Sequence, residues 1–556
     1  MIGDHVRLLN RVRDLKTLEV AFQYALHDRM RLDYYYDPFE IDFVVANRQS
    51  ILAELSQELA DVRSYGPRPA YAYYAPKNYL CYRRMIYIPF KDLIIRYAFV
   101  MVLADLLDGE LSENCFANRR ARGESAKVTF LEDFANISWP KFCRWQKDCA
   151  SRFTTLLRTD ISAFYDSVSH DYLLETIARE LAIGADTDFI GLFRSLLRVP
   201  VISYSHLDCS PRDAEILHQG LSIGNSTEGV LANLYLKAVD EAIHRISSLE
   251  FGRYNDDMRI FAMGRREALD AVLVLQEYVL AKGLNLNATK TRIAESPTEI
   301  EDLRSKAYEG YEYVSSEEGL DEKPASFEDL DQPFDIFNRR FRPGQQLKKA
   351  EDANEDAKEF CQFMSHRRDN AYDLLPIGDR EAWHVETLKE ILSRWHGSSK
   401  HAAWLMVESA CDTRCPKDTR HVASETLIRC LAHEDVATYA KYRLLHHLVK
   451  QRPKKSSPST FRYIDTVDKD IRDRIYELLS GLLRKPSFEL NIVALYTLKV
   501  LGSSAKDLKV YAQRYVPKPL GVPVKNALLN VLEPMRAVAP LDLVSEQETD
   551  GEPEYY

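Results

Sequence analysis

No apolar run in this chain of 556 residues approaches the roughly 18 consecutive positions that a membrane-spanning helix needs. The start, Met1-Ile2-Gly3-Asp4-His5-Val6-Arg7, also lacks the basic-then-apolar pattern of an export signal. A soluble, cytoplasmic protein with no membrane partner is therefore expected. Cysteine is scarce: nine residues, an odd number, run from Cys81 to Cys430. In an unexported chain that predicts reduced thiols and no disulfide framework. Positive charge is short as well. With 74 Lys and Arg against 84 Asp and Glu the net charge is −10, which speaks against a nucleic-acid partner, because phosphate binding depends on cations. Residues 299–331, however, hold twelve acidic and three basic residues, so the remainder is close to neutral and a basic channel needs only clustering.

What is present suits a large folded protein. Hydrophobic residues make up 46% and charged residues 28%, far from the signature of disorder. At roughly 100–200 residues per domain, about three folding units fit. Residues 1–76 read as a helical N-terminal region, with apolar periodicity around Val6-Leu9-Val12 and Ile51-Leu52-Leu55. Residues 77–300 alternate short β-branched or aromatic runs with helical stretches, an α+β pattern. An acidic linker or insertion follows over 301–354. Residues 355–540 read as all-helical with no strand signal, as in Ile471, Ile475, Leu478 and Leu479 on one helix face, and suggest a helical-repeat-like domain before a tail at 541–556.

Two central segments put carboxylates into apolar, strand-like surroundings: Leu156-Leu157-Arg158-Thr159-Asp160-Ile161-Ser162-Ala163-Phe164-Tyr165, and Phe251-Gly252-Arg253-Tyr254-Asn255-Asp256-Asp257-Met258. A polar turn, Leu217-His218-Gln219-Gly220-Leu221, lies between them. For Asn255-Asp256 alone a plain hairpin turn explains the residues equally well. Asp160 adds a second site. A strand ending there delivers its carboxylate beside the Asp256-Asp257 turn, and buried like charges require a partner or a metal. Such oxygen ligands suit Mg²⁺, with Mn²⁺ an alternative, and two ions there would serve nucleotidyl transfer.

These boxes resemble the reverse transcriptases. Asp160 with Phe164-Tyr165 is similar to their first box, and Gln219-Gly220 followed by Leu231-Ala232-Asn233-Leu234-Tyr235-Leu236 to their second. Tyr254-Asn255-Asp256-Asp257 resembles the Tyr-x-Asp-Asp box, and Gly283-Leu284-Asn285-Leu286-Asn287 with Lys290-Thr291 the segment after it. Arg84 before Ile88-Pro89 resembles the fingers segment of bacterial retroelement enzymes. The resemblance implies a right-hand polymerase with fingers and palm over 77–300, and it implies roles. Asp160, Asp256 and Asp257 would be the metal carboxylates, Asp160 and Asp256 the more direct ligands, helped by the carbonyl of Ile161. Tyr165, backed by Phe164, would be the steric gate that favours dNTPs. Gln219 and Gly220 would line the incoming nucleotide, Lys290 would be the general acid for the leaving pyrophosphate, and Arg84 and Lys77 would hold the triphosphate. A polar turn, a solvated lysine and plain surface cations are the ordinary readings of these last residues.

The second box departs from the family pattern, with His218 before Gln219 and Leu221-Ser222 after Gly220. No primer-grip hairpin, RNase H or endonuclease signature follows. A polymerase continued by helices resembles the bacterial abortive-infection and defence-associated reverse transcriptases, including the AbiK-like group. That implies an RNA template or noncoding RNA, or synthesis without a template, and a DNA product that is covalently attached if a tyrosine primes it; a homo-oligomer is compatible with it. A palm-shaped scaffold that binds RNA or protein without polymerising is the alternative. Cys411, Cys415, His421 and Cys430 fit no common zinc spacing. Arg119-Arg120-Arg122 is a candidate phosphate-binding cluster, and the Tyr34-Tyr35-Tyr36 and Tyr71–Tyr74 clusters are candidate stacking platforms or core.

Overall fold

The computed structural model describes residues 4–31, 37–76, 82–123, 125–127, 129–133, 137–203, 214–305, 361, 377–394, 399–450, 452–454, 457–483 and 487–515. Lys77, Tyr34-Tyr35-Tyr36, most of the acidic stretch and the tail lie outside these residues. Four helices open the chain: α1 (His5–Arg13), α2 (Leu15–Arg31), α3 (Pro38–Ala46) and α4 (Arg48–Glu58). Asp37 caps α3 by accepting from the amides of Phe39 and Glu40.

Strands β1 (Ala70–Pro76) and β2 (Tyr82–Tyr87) pair antiparallel, Tyr71 opposite Tyr87. The helical reading of residues up to 76 therefore ends early: Ala70 starts a strand. The Tyr-Ala alternation puts Tyr71 and Tyr73 with Met85 and Tyr87 on one face, and Ala70 and Ala72 with Ile86 on the other. Both faces are covered, so Tyr71 and Tyr73 are core residues and offer no platform to bases, while Tyr74 stays exposed.

Helix α5 (Phe90–Leu107) runs through the middle and is buried on nearly every side, which explains its almost continuous apolar sequence. Its one buried guanidinium, Arg96, is paired at 2.9 Å with Glu228. Next come α6 (Trp139–Arg152), β3 (Thr155–Thr159), the single turn α7 (Phe164–Ser167), α8 (His170–Glu180), α9 (Asp188–Leu197), β4 (Pro200–Ser203) and β5 (Glu215–Ile216). Strand β4 joins the first sheet parallel to β1, giving the order β2-β1-β4-β5.

The second sheet carries the site. After α10 (Ser226–His244) come β6 (Glu250–Tyr254), β7 (Asp257–Ala262), α11 (Arg265–Leu280), β8 (Arg292–Ala294) and α12 (Pro297–Ser305). The order is β6-β7-β3-β8, all antiparallel. Leu157 and Ile260 face α10 and α11, while Leu156 and Phe261 face α6 and α12, so both faces are apolar.

The C-terminal part holds helices Ala382–Arg394, Ser399–Cys411, Lys417–Ala432, Thr438–Val449, Lys469–Leu482, Phe488–Val500 and Ala505–Tyr515. Between the fourth and fifth lies an antiparallel pair, β9 (Arg452–Lys454) and β10 (Ser457–Phe461), where the sequence showed no strand signal. Pro453 and Pro458 explain it, since each removes an amide donor and excludes a helix interior. These helices share one core with the tyrosine face of β1 and β2. Phe39 of α3 meets Tyr496 edge-on at 5.1 Å, and Asp42 accepts from Tyr496 and Lys499. Mixed α+β content is thus the observed fold class. No helix among the described residues is long and apolar enough to cross a membrane.

Candidate active site

Strand β3 ends at Thr159, opposite Met258, so the next residue, Asp160, falls beside the β6–β7 turn. Asp160 is nearly buried, and its backbone is laced to the segment after α11. Its carbonyl accepts from Asn287 N at 2.7 Å, Ile161 bridges Leu286, and Ser162 N donates to Asn285 O at 2.8 Å. That lacing brings Lys290 Nζ to 3.0 Å from Asp160 Oδ2. The amide of Asn287 approaches the same oxygen at 3.4 Å.

The β6–β7 turn is two residues long, Asn255-Asp256, because Tyr254 pairs directly with Asp257. Asn255 takes φ +55°, a left-handed conformation that Asn tolerates. Asn118 donates to its side-chain oxygen, and Arg253 Nη1 donates to its carbonyl at 3.2 Å. Arg253 is itself buried and forked onto Asp240 at 2.8 and 2.9 Å, with Nη1 on Asn233 Oδ1 at 2.8 Å. Tyr254 leans on Trp139 and Phe142 and shares a hydrogen bond with Ser138 at 2.8 Å. One glycine is needed here for space: a Cβ on Gly252 would sit 2.6 Å from the Trp145 ring.

The two turn carboxylates have opposite fates. Burial, and then the charge of Asp160, push Asp256 up to about 7. Burial also works on Asp257, but the Arg259 and Arg158 guanidiniums outweigh it and hold that carboxyl below its ordinary range. Arg259 reaches both Asp257 oxygens, at 2.5 and 3.0 Å, and Arg158 Nε lies 3.4 Å from one of them. Among the described residues no group of three or more His, Cys, Asp or Glu is arranged as a ready metal cluster. Asp160 and, less strongly, Asp257 both bear on Asp256, while Asp257 is itself held by guanidinium. The candidate zinc ligands do not assemble either; Cys411, Cys415 and Cys430 are buried thiols, and burial pushes Cys415 and Cys430 up.

The second box closes against the first. Leu221 N donates to Tyr165 O and Gly220 N to Val168 O, both at 2.8 Å. His170 Nε2 lies 2.7 Å from Gly220 O; a carbonyl only accepts, so Nε2 carries the proton. Gly220 has φ +94°, a left-handed conformation that side chains rarely adopt, which is why glycine stands at this bend. Gln219 is exposed beside it.

Tyr165 is half-buried, and burial followed by the Asp256 charge raises its hydroxyl. Phe164 is different. It is buried against Tyr165 and Tyr235, a core residue rather than a nucleotide contact. Arg84 sits on β2 with Nη2 3.6 Å from Glu215. Its neighbour Arg83 is, after Arg253, a cation whose charge reaches Tyr165. Lys77 lies outside the described residues. Arg119 and Arg120 are engaged by Asp108, Asp105 and backbone carbonyls and act as internal wiring of a loop, while Arg122, paired with Asp108, keeps its side chain largely exposed.

Sequence reading missed Arg259, Arg158, Arg253, Asn287 and His170. A signal existed for the arginines: Arg253 and Arg259 stand in apolar strands on either side of the turn, where an unpaired charge is costly.

Carboxylates at the end of one antiparallel strand and on the adjoining hairpin turn thus meet, with a lysine across from them. Residues 112–313 match the family model described as reverse transcriptase (RNA-dependent DNA polymerase), which supports a nucleotidyltransferase. Among solved structures, apo telomerase from Candida tropicalis truncated from its C-terminal domain is similar at 13% identity and TM-score 0.31. That match covers 44% of this chain and 55% of the telomerase chain, and no inference rests on it. No curated protein matches the chain.

Proposed function

We propose that this protein is an RNA-directed DNA polymerase, acting in the bacterial cytoplasm in antiviral defence, that joins dNTPs at Asp160 and Asp256. The observation that supports the reading best is the meeting of these two carboxylates, far apart in sequence, at one end of the β3–β7 pair. Two facing carboxylates in a half-buried site are unfavourable unless a cation joins them, and hard oxygen donors suit Mg²⁺. Asp160, Asp256 and the carbonyl of Ile161 would hold it. When bound, the metal supplies positive charge to the attacking 3′-hydroxyl and to the leaving pyrophosphate oxygens. The chain's own residues do the rest. Tyr165 stands where a ribose 2′-hydroxyl would collide, Gln219 and Gly220 form the floor held by His170, and Lys290 donates a proton to the departing pyrophosphate.

The link to defence follows from resemblance together with the helices that continue the polymerase domain, which we read as a repeat-like platform for RNA, growing DNA or partner copies. Two experiments address the parts separately. Purified protein with labelled dNTPs and Mg²⁺, with and without RNA, should extend DNA; the absence of incorporation under every template would favour the scaffold alternative. Phage plating on cells with the wild type should fall relative to cells carrying Asp160→Asn, and equal plating would remove the defence assignment.

A further inference from the structure

The three site carboxylates have unlike counter-charges. Asp160 is answered by Lys290, whose side chain is 59% exposed, on a segment beyond α11. A small cation can displace such a partner. Asp257 is answered by Arg259, whose side chain is 0% exposed. That guanidinium is fastened at every nitrogen: Nη1 and Nη2 to Asp257, Nη1 also to Met258 O at 3.1 Å, and Nε to the buried Gln146 at 3.2 Å. The ring of Phe142 lies 5.7 Å beneath it. Arg158, which pairs with Arg259 across β3 and β7, adds a second guanidinium to the same carboxylate. A divalent ion entering here cannot swing these arginines aside as it can a lysine.

We propose that Arg259 is a positioning residue that holds Asp257 outside the metal's coordination shell and cancels its charge, leaving Asp160 and Asp256 to bind the ion. This rests on the polymerase reading above. It matches the habit of Mg²⁺, which takes one or two carboxylates and draws its other ligands from water and substrate phosphates. Without Arg259, Asp257 is answered by Arg158 alone and its charge is less fully cancelled, so cation affinity rises while the ligand geometry worsens.

The test is Mn²⁺ binding by calorimetry to the full chain without dNTP, alongside Mg²⁺ titration of incorporation. Asp257→Asn, which keeps the shape but accepts from Arg259 at one oxygen only and leaves that charge uncancelled, should weaken Mn²⁺ binding by no more than about fivefold, whereas Asp160→Asn, which removes a ligand, should lose more than about thirtyfold. Arg259→Gln should bind Mn²⁺ several-fold more tightly and turn over more slowly at saturating metal, with Arg259→Lys in between. A merely structural arginine would lower the melting temperature and leave the metal affinity where it was. The proposal is overturned if Asp257→Asn weakens Mn²⁺ binding as much as Asp160→Asn does, or if Arg259→Gln weakens it. Should Arg259→Gln not fold, Asp257→Asn decides alone. Wild type that binds Mn²⁺ yet incorporates no nucleotide would end the polymerase reading and leave this one to the binding data.

Discussion

Replacing Arg253 by Met removes the centre of the network under the catalytic turn, and the structure sets the size of the loss. Arg253 and Asp240 are both almost fully buried, and the guanidinium also reaches Asn233 and the carbonyl of Asn255. Taking away one member of a buried ion pair leaves an uncompensated charge, at about 3–5 kcal/mol. For a folding unit of roughly 150–250 residues each kcal/mol shifts the midpoint by about 2–4 °C, so the polymerase domain should melt roughly 6–20 °C lower. Scanning calorimetry of the purified protein measures this. Removing both charges, as Arg253→Met with Asp240→Leu, should recover much of the loss, because an apolar pair of similar volume carries no desolvation penalty. Incorporation by Arg253→Met should also fall well below the melting range, since Asn255 loses one of its two anchors. A single substitution that melts within about 2 °C of wild type would refute the buried-pair argument.

Three further outcomes follow from the site. Tyr165→Ala should admit ribonucleotides, raising the rNTP-to-dNTP ratio of kcat/KM by roughly 10²-fold; an unchanged ratio would place the gate elsewhere. Burial holds His170 down to about 4, below its ordinary range, so its neutral form contributes stability that is complete above about pH 6.5 and is lost as pH falls towards 4. The gap corresponds to about 3 kcal/mol, and His170→Gln, which still donates to Gly220, should flatten the acid limb of a melting-temperature profile. Asp256 has the opposite sign. Held up at about 7, it is protonated in the folded protein while already ionised in the unfolded chain, so stability declines as pH rises from about 4 to 7. Mg²⁺ should therefore raise the melting temperature more at pH 8 than at pH 6, and equal shifts would contradict the Asp160–Asp256 coupling.

How far the sequence carries depends on how local the determinant is. Asp160 at the end of an apolar run and a two-residue turn at Asn255-Asp256 follow from neighbouring residues, so their placement is legible in the chain itself. The β1 strand was missed because Tyr71 and Tyr73 owe their burial to helices more than 300 residues downstream, among them the one carrying Tyr496. Arg119, Arg120 and Arg122 look like a free basic cluster until the fold brings Asp105 and Asp108 against them. Phe164 and Tyr165 are adjacent and alike in type; only the direction of the single turn α7 sends one to the core and leaves the other half-buried. The Arg259 clamp needs the register of β3 on β7 together with Gln146 from α6, and no window of sequence contains all three.

The central claim is that Asp160 and Asp256 act together on an incoming nucleotide. Single-turnover incorporation of a labelled dNTP by wild type and by Asp256→Asn, each with its melting temperature recorded, tests it most directly. The account predicts a fall of about 10³-fold or more for the variant, on the scale of losing a principal electrostatic contributor to the transition state, with a folded protein and a melting temperature at or above wild type. Incorporation by a well-folded Asp256→Asn within about tenfold of wild type would contradict it.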